Sequence, residues 1–495
     1  MFKHRFNTVS KTSKRSCYVL IKILMVFGIL SFIQKKSIEQ PNVIIVLVDD
    51  AGYADFGFMG AKDLSTPNLD ALAMQSVRFT DAHVTSSVCS PSRAGILTGK
   101  YQQRFGYECN EGDGYTGIDT LQQLIPTYLK KVGYTTAAFG KWHLGYQQAQ
   151  HPLRMGFDYY YGFLSGGRSY FYKPTKDDAP HAKTALLENF TQVSFNGYLT
   201  DVLGTKAASF IHANKNKPFF MYWAPNAVHT PMEADSTDLK KFEGHKRKTL
   251  AAMTLALDRA VGTIVNQLKK DNIFDNTIII FLSDNGGAHN NQSNNGKLKG
   301  FKGNEYEAGH RVPLFMSWPK KIREGKTYNG LSSSLDILPT VLEAAAVQNS
   351  NTIATDGVSW LPYVLGNAQG QPHQALIWRK DAAAAIRMNN YKLIRVNGIG
   401  YRLYDLQNDI SESNDLQASN AVMLQRMQTA LLDWEKSKVK PLWQEGNVWD
   451  TITLMIHDDL MHNRKVRVRN PEELANYLQH TNNNLSKTPH AYKGE

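Results

Sequence analysis

The sequence predicts an α/β fold in which the strands of a buried, mostly parallel sheet alternate with outer helices, followed by a smaller unit of different pattern. Three observations carry this. Four unbroken apolar runs, Val43 to Val48, Thr135 to Phe139, Pro218 to Trp223 and Thr277 to Leu282, have the length and composition of strands covered on both faces. Helical segments fall between them: one starting at Thr66-Pro67 with Leu69, Leu72 and Ala73 inward, then Leu121 to Val132 closed by Gly133, Tyr198 to His212, and Leu250 to Leu268. From about Ala375 the pattern changes to short strand-like pieces, Ala375 to Arg379, Ala384 to Met388 and Tyr391 to Val396, and then a helix from Ala421 to Lys436.

Each apolar run ends in polar residues, as expected of an open α/β sheet whose sites lie outside the carboxyl ends of its strands. The first run ends in Asp49-Asp50. Adjacent carboxylates repel unless a cation or a set of donors lies between them, although a turn or a helix cap is the plain alternative. The stretch Ser86 to Lys100, S-S-V-C-S-P-S-R-A-G-I-L-T-G-K, has a helix start at Ser90-Pro91 and a stop at Gly99. Cys89 then sits at a helix mouth that favours anions, with Arg93 one turn further on the same side. This arrangement suits an activated thiolate or a buried, inert cysteine. The Cys-to-Arg spacing is too short for the phosphate loop of cysteine phosphatases. Lys141 and His143 follow the second run, His229 follows the third, and Asp284-Asn285 follow the fourth. Asp284 and Asn285 complement Asp49 and Asp50 as oxygen donors, a set that suits a hard divalent cation.

The string C-S-P-S-R-A-G-I-L-T-G resembles the signature of the formylglycine-dependent sulfatases, the arylsulfatase type within the alkaline phosphatase superfamily. G-K-W-H-L-G at 140–145, the P-x-x-x-H segment ending at His229, and the basic loop Lys297 to Pro313 resemble further segments of that family, in family order. The resemblance implies a large mixed, mostly parallel sheet flanked by helices, with a smaller C-terminal α+β subdomain of antiparallel sheet and packed helix. It implies that Cys89 is oxidised to formylglycine by a formylglycine-generating maturation enzyme, and that the aldehyde's hydrate supplies the nucleophile. Its second hydroxyl can later re-form the aldehyde and expel sulfate. By the same resemblance calcium is held by Asp49, Asp50, Cys89, Asp284 and Asn285; Arg93, Lys141 and Lys302 bind sulfate, with Lys299 the alternative to Lys302; His143 is the base and His229 the acid.

The expected substrate is a sulfated oligo- or polysaccharide, in look closest to marine galactans such as carrageenan. Residues 151–197 are rich in Gly, Tyr and Phe, which fits either an irregular loop layer or a sugar-stacking surface. Arg168 there, with His289, His310 and Arg311, makes up the candidate substrate-binding set. The other readings are a phosphonate or phosphodiester hydrolase of the same superfamily and a noncatalytic sulfated-glycan binder.

The formal net charge is +12, but residues 1–36 hold eight basic residues and no acid, leaving +4 for the rest. That balance gives no reason to expect a nucleic-acid partner. The basic start and the apolar run from Ile23 to Ile33 have the layout of a signal peptide or N-terminal anchor, so the expected location is periplasmic or secreted. Three cysteines are too few for a disulfide framework. The expected organisation is a leader at 1–36, a catalytic domain at 41–370, a C-terminal subdomain at 371–446 and a polar tail at 447–495, whose basic run at 462–469 reads as a solvated face.

Overall fold

A computed structural model of the protein describes residues 40–322, 325–348, 350–380 and 382–481; the leader expected at 1–36 lies outside them. The first twelve strands are β1 (Asn42–Val48), β2 (Val77–Phe79), β3 (Ala82–His83), β4 (Thr135–Lys141), β5 (Tyr159–Phe163), β6 (Leu187–Glu188), β7 (Thr191–Gln192), β8 (Phe219–Ala224), β9 (Thr277–Ser283), β10 (Leu314–Ser317), β11 (Lys326–Tyr328) and β12 (Ser332–Ser333). Ten of them form one sheet in the order β11-β2-β10-β9-β1-β8-β4-β5-β6-β7, while β3 and β12 pair separately. The centre is parallel: β1 lies between β8 and β9, with Val43 opposite both Phe220 and Ile278, and β4 and β5 extend the parallel run. β10 is antiparallel to β9, which makes the sheet mixed.

The alternation of a strand explains how one apolar run serves two cores. Val43, Ile45 and Leu47 pack on one face with Ile96 and Leu97 of the helix Cys89–Thr98 and with Leu338 and Val341 of the helix Ile337–Ala344. Ile44, Val46 and Val48 pack on the other with Met253, Leu257, Val261 and Ile264 of the helix Lys248–Lys270. Each fully buried aliphatic side chain contributes about 1.5–3 kcal/mol, so the carboxyl end of β1 gives Asp49 and Asp50 a rigid base. Gly140 in β4 is required by close approach. Its φ is 87°, and a Cβ there would lie 2.2 Å from the Ala224 carbonyl oxygen.

The expected helix Leu121 to Val132 is shorter, Ile125–Lys130. Asp119 accepts from the Leu121 backbone N–H and holds a turn there, leaving Leu121 exposed. The second unit is an antiparallel sheet of β13 (Ala375–Lys380), β14 (Ala383–Met388), β15 (Tyr391–Val396) and β16 (Gly400–Asp405). Met427 and Leu431 of the helix Ala421–Lys436 cover one face, against Ile386 and Leu393.

Residues 447–481, expected as part of a polar tail, are helical instead. They form the helices Asn447–Met461 and Pro471–Thr481, and Ile452, Ile456 and Leu460 of the first cover the other face of the small sheet. In the basic run between these two helices, Arg464 and Arg467 are paired with Asp458 and Asp459.

Candidate functional site

The helix Cys89–Thr98 begins with Cys89 itself, every residue of it buried, and ends at Gly99 with φ 63°. Ser90 does not cap it, contrary to expectation. The Ser90 hydroxyl instead meets the Tyr107 hydroxyl and donates to the His143 carbonyl oxygen, tying the helix mouth to the loop after β4. Within the first turn the Ser90 N–H donates to Asn110 Oδ1, Pro91 has no N–H, and the Ser92 N–H donates to the Val88 carbonyl oxygen.

Four strand ends deliver their polar residues to this mouth. Cys89 Sγ lies 3.7 Å from Asp49 Oδ1 and 3.9 Å from Asp50 Oδ1. Arg93 runs inward, its Nε and Nη2 donating to Asp284 Oδ2 at 2.9 and 2.7 Å and its Nη1 to the Lys141 carbonyl oxygen at 3.0 Å. Lys141 Nζ is 2.7 Å from Asp49 Oδ2, and Lys302 Nζ is 2.9 Å from Asp50 Oδ2. Asn285 donates to Asp50 Oδ1 at 2.8 Å. Three cations thus face three buried carboxylates in one cluster.

Burial works to raise the Asp50 carboxyl, yet Lys302, His229 and Lys141 hold it well below the usual carboxylate range. Burial, with the charge of Asp49, pushes Asp284 up to about 6. The Cys89 thiol is pushed up to about 12 by burial, against the pull of Lys141 and Lys302. An unmodified Cys89 is therefore a neutral thiol, and the activated-thiolate reading does not hold here. Asn285 Oδ1 is buried with no partner among the described residues. An orphaned amide oxygen beside three carboxylates fits a hard cation. Asp49, Asp50, Cys89 and His229 also bring their ligand atoms within 4.8 Å of one another.

Asp50 and His143 both adopt left-handed backbone conformations, φ 61° and 59°. Non-glycine residues held there cost on the order of 1–3 kcal/mol, and the rigid strand ends enforce it. His143 Nδ1 is buried with no partner among the described residues, and the ring lies against Gly166, where a Cβ would approach Nε2 to 2.7 Å. Burial, then Lys141, Arg93 and Lys302, push His143 well below the ordinary histidine range, leaving a neutral imidazole. His229 Nε2 is 3.6 Å from Asp50 Oδ2, and burial, helped by Lys302 and Lys141, pushes this histidine down to about 4.

The choice between the two lysines is resolved by distance. Lys299 Nζ turns away to the Glu412 carbonyl oxygen and Asn463 Oδ1, at 2.9 and 2.6 Å. Of the expected substrate-binding residues, His289 lies near enough to feel the charges of Asp50 and Lys302, whereas Arg168, His310 and Arg311 are engaged elsewhere. Arg168 is fully buried and spent on Asp178 Oδ2 at 2.7 Å and the carbonyls of Ser169 and Thr184, so it supports a loop from beneath. His310 is also buried, stacked on Trp378 at 3.8 Å between ring centroids and linked to His83 and Lys392. Arg311 is held by Glu307 and the Thr80 carbonyl oxygen. His289, half-buried, packs edge-on to Phe301.

Much of the aromatic stretch at 151–197 is likewise support. Tyr170 is buried, stacks on Tyr198, and its hydroxyl donates to the His229 carbonyl oxygen at 2.8 Å. Sequence reasoning passed over Glu111, whose Oε1 is 3.8 Å from His143 Nε2; no spacing or motif marks it.

The family profile described as "Sulfatase" matches residues 41–347, and one described as "N-sulphoglucosamine sulphohydrolase, C-terminal" matches 301–437. Among solved structures, Ps i-CgsB in complex with k-i-k-neocarrahexaose is 37% identical, with a TM-score of 0.78, over 86% of this chain and 99% of that one. The N-acetylgalactosamine-6-sulfatase of Mus musculus is 30% identical over 76% of each chain. An uncharacterized sulfatase of Escherichia coli K12, YdeN, is 29% identical over 81% of this chain and 87% of its own.

Proposed function

The chain belongs to the sulfatase family and is a sulfuric ester hydrolase, and on that premise we propose that it removes sulfate from a sulfated carbohydrate of the carrageenan type. The carrying observation is the convergence of Arg93, Lys141, Lys302, His143 and His229 on Cys89. The substrate class is supported by the relative solved with a neocarrahexaose.

A sulfate monoester repels an incoming nucleophile because it is itself an anion. Lys141 and Lys302 answer that charge in a site shielded from water, where fixed donors act most strongly. Arg93 acts from behind, holding Asp284 and the Lys141 backbone in place. Cys89 is the residue we expect to be matured to formylglycine by a formylglycine-generating enzyme; in hydrated form that group supplies the hydroxyl that attacks sulfur. Asp49, Asp50, Asp284 and Asn285 would hold a calcium ion, which supplies positive charge for the sulfate oxygens.

His143, neutral and with its buried Nδ1 unpartnered among the described residues, accepts a proton at that atom. His229 carries the proton for the departing sugar oxygen. It is neutral in the empty site, and the negative charge of the bound ester favours its protonated form. The leader expected at 1–36 supports a periplasmic or secreted location. The test is sulfate release from defined κ- and ι-carrageenan oligosaccharides, scored by the position lost and compared with turnover of an aryl phosphodiester. Faster turnover of the phosphodiester, or no release from any sulfated sugar, would overturn the proposal.

A further inference from the structure

We propose that Glu111 sets the sugar-side specificity of this site: its carboxylate accepts hydrogen bonds from hydroxyls beside the scissile ester and excludes a second sulfate there. This rests on the sulfated-carbohydrate reading.

Glu111 Oε1 lies 3.8 Å from His143 Nε2, and its side chain is 39% exposed where that of His143 is 7% exposed, so the carboxylate forms the open wall beside a closed residue. It is held in place. The Tyr146 hydroxyl donates to Oε1, and Lys183 lies over the Tyr146 ring at 4.4 Å. On one side, Asn110 Oδ1 accepts from the Ser90 backbone N–H at 3.0 Å, which anchors the segment to the Cys89 helix. On the other, the Asn110 carbonyl oxygen accepts from Trp443 Nε1 at 2.7 Å, and Asp113 bridges to Gln444. Gly112 permits that approach, since a Cβ would lie 1.9 Å from the Gln444 carbonyl oxygen.

The charge of Glu111 is not absorbed by the central cluster. Asp49, Asp50 and Asp284 take up Lys141, Lys302 and Arg93, while Glu111 makes no ion pair with any of these three cations. A carboxylate is acceptor-only, so it pairs with a sugar hydroxyl, which donates. A neighbouring sulfate ester offers only acceptors and a like charge, which costs tenfold or more in affinity at roughly 4 Å in a partly shielded site.

The experiment compares two oligosaccharides identical except for an added sulfate on the ring carbon next to the scissile ester. Wild type is expected to prefer the free hydroxyl by about tenfold in kcat/KM. Glu111→Gln narrows that ratio to about threefold or less, whereas Glu111→Asp, which retains the charge, keeps most of it. Melting temperatures of both variants establish that they are folded. Sulfate release with the same ratio in wild type and Glu111→Gln overturns the role of Glu111 alone. Release from neither sugar by wild type overturns the carbohydrate reading and this proposal with it.

Discussion

Replacing Arg93 by alanine tests how the cluster is held together. The guanidinium is fully buried, meets Asp284 through two nitrogens at 2.9 and 2.7 Å, and passes within 3.6 Å of Asp49. Arg93→Ala leaves a buried carboxylate without its partner, an uncompensated charge that costs about 3–5 kcal/mol. In a protein of this length such a loss lowers the melting temperature by roughly 3–5 °C. Part of the loss should return in the double variant Arg93→Ala/Asp284→Asn, because removing both charges leaves neither stranded. Differential scanning calorimetry of wild type, both single variants and the double variant, all in chelator, measures the coupling. A melting temperature for Arg93→Ala within about 1 °C of wild type, or strict additivity in the double variant, would refute the reasoning.

The same geometry has consequences for pH and for a remote contact. In chelator, the folded protein holds a proton on Asp284 between about pH 4 and 6 that the unfolded chain has released, so stability contributed there falls as pH rises through that window. His143 and His229, pushed down by burial, contribute the opposite slope in this window. The fall should therefore appear in the melting-temperature difference between wild type and Asp284→Asn followed from about pH 4.5 to 7, and added calcium should flatten that difference. His457, whose Nε2 is 2.9 Å from the buried Glu305 Oε2, joins the helix Asn447–Met461 to the segment that also carries Lys302, and Glu305 Oε1 accepts from Ser87. His457→Ala should lower both the melting temperature and the rate of sulfate release, measured on the same preparation.

The parallel core of the sheet was legible because its strands are covered on both faces, so unbroken runs such as Val43 to Val48 carry their own signature. The central cluster was legible for a related reason: Asp49, Lys141, His229 and Asp284 each stand just beyond such a run or at its end. Residues off those strands were harder to read. Arg168 looked available because its partner Asp178 is a loop residue whose contact no periodicity announces. His310 owes its burial to Trp378 and Lys392, which come from a different sheet. Lys299 and Lys302 differ by only three positions, and the fold alone turns one toward Asp50 and the other toward Glu412. The helix Asn447–Met461 carries Ile452, Ile456 and Leu460 at four-residue spacing, a signal outweighed by the polar composition around it.

The mass of the peptide containing residue 89, taken from protein produced with a formylglycine-generating enzyme and read beside the sulfate-release rate of the same sample, tests the mechanism most directly. The predicted result is an aldehyde at that position, with a rate that scales with the converted fraction and vanishes in Cys89→Ala. Full sulfate release by protein whose Cys89 is a thiol throughout would contradict it.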